Sequence, residues 1–281
     1  MKAFTKISEL RAELLKEKAA GKTVGFVPTM GYLHEGHASL MDNARKENDV
    51  VVLSIFVNPL QFGPKEDFAS YPRDFERDQQ VAKNHGVDYI FHPTAEEMYP
   101  QQPSVIAVVQ DRTEVLCGKS RPGHFDGVAT VLSKLFNIVQ PNRVYFGMKD
   151  AQQVAVVYGL VNDFNIPLEI VPVPTVREED GLAKSSRNVN LSPEEQNQAP
   201  AIYQGLKLAD QAIQAGETNS AKLVKIVETH INEHTEGIID YIEIYSYPEL
   251  KEIEQVTGKI IIAVAVRFSK VRLIDNLIIQ L

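Results

Sequence analysis

The sequence predicts an α/β protein, with a Rossmann-like doubly wound parallel sheet followed by a smaller C-terminal α+β domain. Up to about residue 173, apolar strands alternate with helical patterns, which is typical of parallel sheets covered by helices on both faces. Beyond that point, three strand-like segments follow one another without a helix between them, which favours an antiparallel sheet. We therefore place one domain at residues 1–176 and a second at residues 177–281.

The elements of the first domain are predicted from their apolar patterns. Strands are predicted at residues 24–27, 50–58, 88–91, 104–109, 143–147 and 168–173, and helices at residues 7–20, 37–46, 74–85, 125–139 and 150–164. The run VVVLSIFVN at 50–58 is continuous and β-branched, as in strands buried on both faces. Apolar residues recur three and four apart over 125–139, which predicts one buried helix face.

The second domain begins with a polar loop and two helices. Ser192 is a good N-cap and Pro193 fits the first helical position, so a helix is predicted from there to about residue 215. A second helix is predicted at residues 220–234. The segments YIEIYS, KIIIAVAVRF and VRLIDNLII then predict the three strands of the antiparallel sheet.

Composition and charge limit the partners and the cellular compartment that we expect for this protein. The 281 residues carry 29 Lys and Arg against 37 Asp and Glu, a net charge of −8 that disfavours a large nucleic-acid interface. We find no run of 18 apolar residues and no signal-peptide pattern at the N-terminal segment, so no membrane partner is expected. A single cysteine, Cys117, fits a reducing compartment. We expect a cytoplasmic protein that acts on small molecules.

The segment PTMGYLHEGH, residues 28–37, follows a predicted strand and opens a predicted helix. Ligands of doubly wound sheets bind at the carboxyl ends of strands, and helix N-termini favour anions. His34 and His37 can each donate a hydrogen bond to a phosphate oxygen. Taken alone, the pair is more often a polar helix cap, and a metal site lacks a third ligand nearby. Its place between Gly31 and the helix favours phosphate binding.

Three further segments place polar side chains after strands or in the loop between the domains. FVNPLQFG (56–63) offers Asn58 and Gln61 to a small polar ligand, GMKDAQQ (147–153) offers Lys149, and DGLAKSSRN (180–188) offers a phosphate clamp. Each has a simpler explanation. Asn-Pro marks turns, Asp150 suits a helix cap, and the last segment suits a solvated loop.

The order and spacing of these segments, with YPRDFERD (71–78) and RPGHFDGV (121–128), resemble the pantoate–β-alanine ligase family from about residue 24 to 191. HEGH and KSSR resemble that family's versions of the HIGH and KMSKS signatures of nucleotidyltransferases. The resemblance implies that pantoate attacks the α-phosphorus of ATP, releasing pyrophosphate. The amine of β-alanine then displaces AMP from pantoyl adenylate to give pantothenate. It also implies Mg²⁺ with ATP, and a homodimer.

By the same resemblance, the catalytic residues are His34, His37 and Lys149. ATP contacts are implied for Met30, Gly31, Tyr32, Leu33, His34, Glu35, Gly36, His37, Gly147, Met148, Lys149, Asp150, Val176, Lys184, Ser185, Ser186 and Arg187. Pantoate contacts are implied for Met30, Asn58, Gln61 and Gln153, and Asp78 matches the position associated with Mg²⁺. The family places a proton donor at His37. Because displacement by a carboxylate needs little proton transfer, stabilisation of charge on the leaving pyrophosphate is the alternative role.

Two other functions compete with this interpretation. An adenylyl-transfer enzyme for another acid and amine would share the fold, but Gln61 and Gln153 favour a small hydroxy acid. A catalytically silent nucleotide-binding protein would not need both histidines and Lys149. The chain departs from the family's common pattern at Met148, Ala151 and Lys184, so contacts there are expected to differ.

Overall fold

A computed structural model of the chain describes residues 1–63 and 68–281, which divide into two compact units. The N-terminal unit comprises residues 1–113, 118–148 and 156–174, and the C-terminal unit comprises residues 114–117, 149–155 and 175–281. The main division at 174/175 lies next to the predicted domain boundary. Two short segments that precede it in the chain, 114–117 and 149–155, belong to the C-terminal unit.

Six strands of the described N-terminal unit form one parallel sheet. They are β1 (Lys2–Phe4), β2 (Val24–Thr29), β3 (Val50–Ile55), β4 (Tyr89–Phe91), β5 (Arg143–Gly147) and β6 (Glu169–Val173). Their order, β1-β4-β3-β2-β5-β6, confirms the predicted doubly wound sheet. Strand β2 lies between β3 and β5, pairing Val24 with Val50 and Gly25 with Arg143. The carboxyl ends of these three strands therefore lie at one edge of the sheet.

Helices follow the strands as the alternation predicts. They are α1 (Ile7–Ala19), α2 (Glu35–Glu47), α3 (Phe75–Asn84), α4 (Ala95–Met98), α5 (His124–Val139) and α6 (Ala151–Asp163). Every residue of β3 is buried, in keeping with its continuous apolar sequence. One core of this unit joins Val27 of β2, Leu53 of β3 and Met41 of α2. The predicted elements are present, with one exception, and their ends shift by a few residues.

The exception is the strand predicted at residues 104–109, which is wrong, because no strand is assigned there among the described residues. The backbone N–H groups of Ala107 and Val109 donate to the side chains of Thr130 and Asp126 on α5, at 3.0 and 2.7 Å. Val105 is 82% exposed. The segment has the composition of a strand, but within the described chain its N–H groups bond to side chains.

The C-terminal unit contains helices α7 (Pro193–Gln198), α8 (Ala201–Gln214) and α9 (Ser220–His234) and strands β7 (Ile238–Ser246), β8 (Lys259–Arg267) and β9 (Arg272–Gln280). The strands form the predicted antiparallel sheet in the order β7-β8-β9. The single helix predicted at 193–215 is interrupted before α8, where Pro200 offers no backbone N–H. Leu206, Val227 and Ile262 belong to the core of this unit.

No helix in the described part of the chain is long and apolar enough to cross a membrane.

Candidate active site

The loop between β2 and α2 lies at the carboxyl edge of the parallel sheet, where the sequence predicts it. Gly31 and Tyr32 have positive φ angles of +86° and +51°, so the chain turns sharply after β2. Helix α2 begins at Glu35, two residues before the predicted start, because His34 takes the N-cap position. Gly147, at the end of the neighbouring strand β5, reaches the same edge, and Met148 follows it.

The two histidines of this loop form a reciprocal cap. The backbone N–H of Gly36 donates to Nδ1 of His34 at 3.1 Å, and the backbone N–H of His34 donates to Nδ1 of His37 at 3.3 Å. The imidazole centroids lie 4.2 Å apart. Since a backbone N–H only donates, both Nδ1 atoms are unprotonated, and each neutral ring carries its proton on Nε2. The pair thus presents two neutral Nε2–H donors at a helix N-terminus.

The electrostatics of His37 also favour its neutral state. Burial lowers the pKa of His37 to about 3, and the neighbouring His34 imidazole acts in the same direction. His37 is therefore uncharged at neutral pH. His37 can therefore bind an anion through its Nε2–H donor, in the favourable field at the N-terminus of α2.

The predicted pantoate residues of this unit also lie together. The side-chain amide of Gln61 donates to Sδ of Met30 at 3.1 Å, and that of Asn58 donates to Oε1 of Gln61 at 3.3 Å. Asn58 is buried, and it also donates to the carbonyl of Gly127 and accepts from the hydroxyl of Tyr99. Asn58 thus orients Gln61 from within the protein, while Met30 is half-buried and Gln61 is 8% exposed.

His124, which lies in the segment RPGHFDGV, supports the segment that carries Gln61. Its Nδ1 lies 2.8 Å from the carbonyl oxygen of Gln61, and its Nε2 lies 3.0 Å from the guanidinium of Arg121. Because the guanidinium only donates, Nε2 accepts and Nδ1 donates to Gln61. His124 is 6% exposed. It therefore fixes the backbone that carries the side-chain amide of Gln61.

Asp78, the residue matched to a metal position, has surroundings of a different kind. It is 1% exposed, and its carboxylate oxygens accept the backbone N–H groups of Tyr32 and Leu33 at 2.8 and 2.7 Å. Among the described residues, no group of three or more His, Cys, Asp or Glu side chains could hold a metal ion. These surroundings do not fit a resident metal, because a hard cation needs several oxygen ligands.

The second set of predicted residues belongs to the C-terminal unit. Lys149 is held through its carbonyl, which accepts the side-chain amide of Asn276 at 3.0 Å. Burial lowers the pKa of its ammonium; the Asp150 carboxylate opposes that shift and the Arg187 guanidinium adds to it. Oδ1 of Asp150 accepts the backbone N–H of Gln153 at 3.2 Å. Asp150 therefore caps α6, the structural role that its position in the sequence suits.

The predicted phosphate clamp lies in a loop that is held by hydrogen bonds and an ion pair within residues 176–187. The carbonyl of Val176 accepts the backbone N–H of Lys184 at 2.9 Å, and the Lys184 ammonium pairs with Glu178 at 2.6 Å. Oγ of Ser185 accepts the backbone N–H of Arg187 at 3.3 Å. Ser186 is half-buried and Arg187 is exposed. The Lys184 charge is thus already paired within the loop.

Arg177 and Asp275, which anchor this loop, were not predicted from the sequence. Arg177 makes a bidentate pair with the 5% exposed Asp275, at 2.6 and 2.9 Å, and its guanidinium lies 3.6 Å from the ring centroid of Tyr203. Arg177 also donates to the carbonyl of Gly181 at 3.1 Å. One signal was available: Asp275 and Asn276 interrupt an otherwise apolar strand, and a buried carboxylate needs a partner.

Comparisons with known proteins match the whole chain. The family described as pantoate-beta-alanine ligase matches residues 2–278. A relative from Geobacillus kaustophilus (strain HTA426), named pantothenate synthetase, is 62% identical over 281 residues, covering 100% of this chain and 94% of the relative.

Solved structures of the same kind are similar over their whole length. Pantothenate synthetase from Thermus thermophilus has a TM-score of 0.92 and 47% identity, over 99% of each chain. Pantoate-beta-alanine ligase from Francisella tularensis, solved with beta-gamma ATP and beta-alanine, has a TM-score of 0.78 and 35% identity, over 99% of this chain and 97% of that one.

Proposed function

Because the chain belongs to the pantoate-beta-alanine ligase family, we propose that it joins pantoate and β-alanine at the expense of ATP. The carboxylate of pantoate attacks the α-phosphorus of ATP, and the bond to the bridging oxygen breaks to release pyrophosphate. The amine of β-alanine then attacks the acyl carbon of pantoyl adenylate, AMP leaves, and the amine loses one proton as the amide of pantothenate forms.

The observation that carries the residue roles is the reciprocal cap of His34 and His37. Two neutral Nε2–H groups at the N-terminus of α2 suit the phosphate oxygens, whose negative charge grows as pyrophosphate leaves. In the C-terminal unit, Lys149 supplies a cation whose burial strengthens its attraction to an anion. We assign it to phosphate and pantoate oxygens, and Ser185, Ser186 and Arg187 to the phosphates.

Other contacts follow the predicted assignment. Met30, Gln61 and Gln153 bind pantoate, with Asn58 orienting Gln61. Tyr32, Leu33, Glu35 and Gly36 border the phosphates through the loop and the first turn of α2. Gly147, Met148, Asp150 and Val176 border the nucleotide. Mg²⁺ enters with ATP as part of the substrate and neutralises phosphate charge, so no step requires a resident metal.

Product release tests the proposal. Purified protein with MgATP and pantoate is expected to release pyrophosphate, and sustained AMP release is expected only when β-alanine is added. The variants His34→Gln and His37→Gln are expected to lower turnover by about 30-fold, the scale of a lost charge-stabilising donor. Pyrophosphate without AMP would reject β-alanine as the acceptor. No pyrophosphate from folded protein would reject the function.

We further propose that the protein is a homodimer that pairs along residues 104–109. Val105, Ile106 and Val108 are 82, 52 and 63% exposed, and Phe164, 68% exposed, lines two surface cavities with them. Such a patch on an extended segment suits pairing with a second copy. Val108→Lys should halve the mass measured by light scattering, whereas Leu15→Lys, at a residue 64% exposed on α1, should not. A wild-type mass of 31.4 kDa would reject the dimer.

A cytoplasmic location is also proposed, since the substrate ATP and the lone cysteine Cys117 suit that compartment. Cell fractionation checks it.

A further inference from the structure

The loop that leads to the two histidines holds an unusual backbone conformation. Gly31 and Tyr32 both lie in the left-handed region, at φ +86° and +51°. For a bulky residue such as tyrosine this conformation is disfavoured, so the surrounding structure must hold it. On one side, Oγ1 of Thr29 accepts the backbone N–H of Gly31 at 3.2 Å and donates to the carbonyl of Ser54 at 2.7 Å.

On the other side, the loop is held by Asp78 in the first turn of α3. Its two oxygens accept the consecutive backbone N–H groups of Tyr32 and Leu33, at 2.8 and 2.7 Å. The contact is close, because a Cβ added to Gly31 would lie 2.9 Å from Oδ2 of Asp78. The guanidinium of Arg77 lies 4.9 Å from the centroid of the Tyr32 ring. Hydrogen bonds to an ionised acceptor are about twice as strong as neutral ones.

The two residues whose N–H groups bind Asp78 lie immediately before the first histidine, His34. Leu33 is fully buried, and the next residue, His34, takes the N-cap of α2 and donates its own N–H to His37. A shift of the Tyr32–Leu33 backbone would therefore move the cap and both rings. Asp78 itself is 1% exposed and bonds to the backbone, so it acts through the loop.

We propose that Asp78 is a positioning residue for adenylation, which sets the orientation of the His34 and His37 donors. This inference rests on the proposed function. It gives the carboxylate a different role from metal binding, because Asp78 is 1% exposed and each of its oxygens accepts a backbone N–H group of the loop. It also explains why a carboxylate is needed: an asparagine has one acceptor oxygen, and its NH₂ group would face the second N–H.

The test compares Asp78→Asn with Asp74→Ala, which weakens α3 at its N-cap, where Asp74 accepts the N–H of Arg77 at 3.1 Å. Pyrophosphate release with pantoate is measured over a range of Mg²⁺ concentrations, together with thermal unfolding. We expect Asp78→Asn to lower kcat about 30-fold, with half-saturation by Mg²⁺ unchanged. Asp74→Ala should lower thermal stability to a similar extent and keep kcat within about threefold of wild type.

A spectroscopic readout separates positioning from a purely structural role. In ¹⁵N spectra of the imidazoles, the wild type should show unprotonated Nδ1 in His34 and His37, and Asp78→Asn should show mixed tautomers. If Asp78→Asn does not fold, Gly31→Ala disturbs the same contact from the loop side and should lower kcat about tenfold with Mg²⁺ dependence unchanged.

Three results would overturn the proposal. Activity of folded Asp78→Asn within about threefold of wild type would remove the positioning role. Recovery of its activity by excess Mg²⁺ would make Asp78 a metal ligand instead. Unchanged imidazole tautomers in a variant of low kcat would show that the defect arises elsewhere. Wild-type protein that releases no pyrophosphate would instead reject the proposed function, on which the inference depends.

Discussion

The pH dependence of stability should report directly on the half-buried imidazole of His37. Its pKa is about 3 in the folded protein, against about 6.5 in an unfolded chain. Between these values the unfolded chain binds one more proton than the folded one. Unfolding therefore becomes easier as pH falls, and the contribution of His37 is complete above about pH 6.5 and is lost progressively toward about pH 3.

The size of the effect follows from the difference in pKa. At about pH 5 the unfolded imidazole is protonated and the folded one is not, a gap of about 1.5 pH units that corresponds to about 2 kcal/mol. His37→Gln removes the titrating group. The free energy of unfolding of the wild type should therefore fall by about 2 kcal/mol more than that of the variant between about pH 7.5 and pH 5.

Urea unfolding at a series of pH values, followed by circular dichroism, measures this difference. Ser39→Ala is a matched control on the same helix, because it removes a non-titrating hydrogen bond from Oγ of Ser39 to the carbonyl of Gly36, 2.8 Å long. Its difference from wild type should not change with pH. A His37→Gln difference that is equally flat would show that His37 is not held in its neutral state, and the interpretation of the cap would be wrong.

Three further variants test other parts of the site. A Cβ at Gly127 would overlap the carbonyl oxygen of Leu60, so Gly127→Ala should raise KM for pantoate about tenfold and leave KM for ATP unchanged in steady-state assays. Lys149→Met removes a half-buried ammonium whose pKa is lowered by desolvation, so it should abolish pyrophosphate release without lowering the free energy of unfolding. Asp275→Asn leaves Arg177 without its charged partner and should cost about 3 kcal/mol in urea unfolding; an unchanged midpoint would contradict this.

The fold was largely predictable because its signals are local. Alternating apolar strands and helices, such as the buried run of β3 and the apolar face of α5, depend on residues close in sequence. The failures depend on contacts made elsewhere. The segment 104–109 has strand composition, yet its N–H groups bond to α5 side chains. The helix start at Glu35 was missed because histidine is not among the preferred N-cap residues.

The residues of the candidate site also divide into those that local sequence predicts and those that only the fold brings together. His34, His37, Met30 and Gln61 were predicted from motifs, and contacts within the N-terminal unit bring them together in two groups. The supporting residues come from distant parts of the chain. Asp78 accepts a hydrogen bond from Tyr32, which lies 46 positions away in the sequence, and Arg177 donates to Asp275, which lies 98 positions away. A single sequence marks such a residue as polar and buried at most, and only the fold identifies its partner.

The cap also favours one of the two roles considered for His37. A proton donor must carry a transferable proton. Nδ1 of His37 accepts the backbone N–H of His34, so a proton on Nδ1 would repel the hydrogen of that N–H group and break the hydrogen bond. Loss of the remaining Nε2 proton would leave an imidazolate, which is inaccessible at neutral pH. Hydrogen-bond donation to charge that develops on pyrophosphate requires neither event. We therefore expect kcat for pyrophosphate release to be flat between about pH 6.5 and 8; a fall of about tenfold per pH unit would require a titrating acid and would contradict the neutral cap.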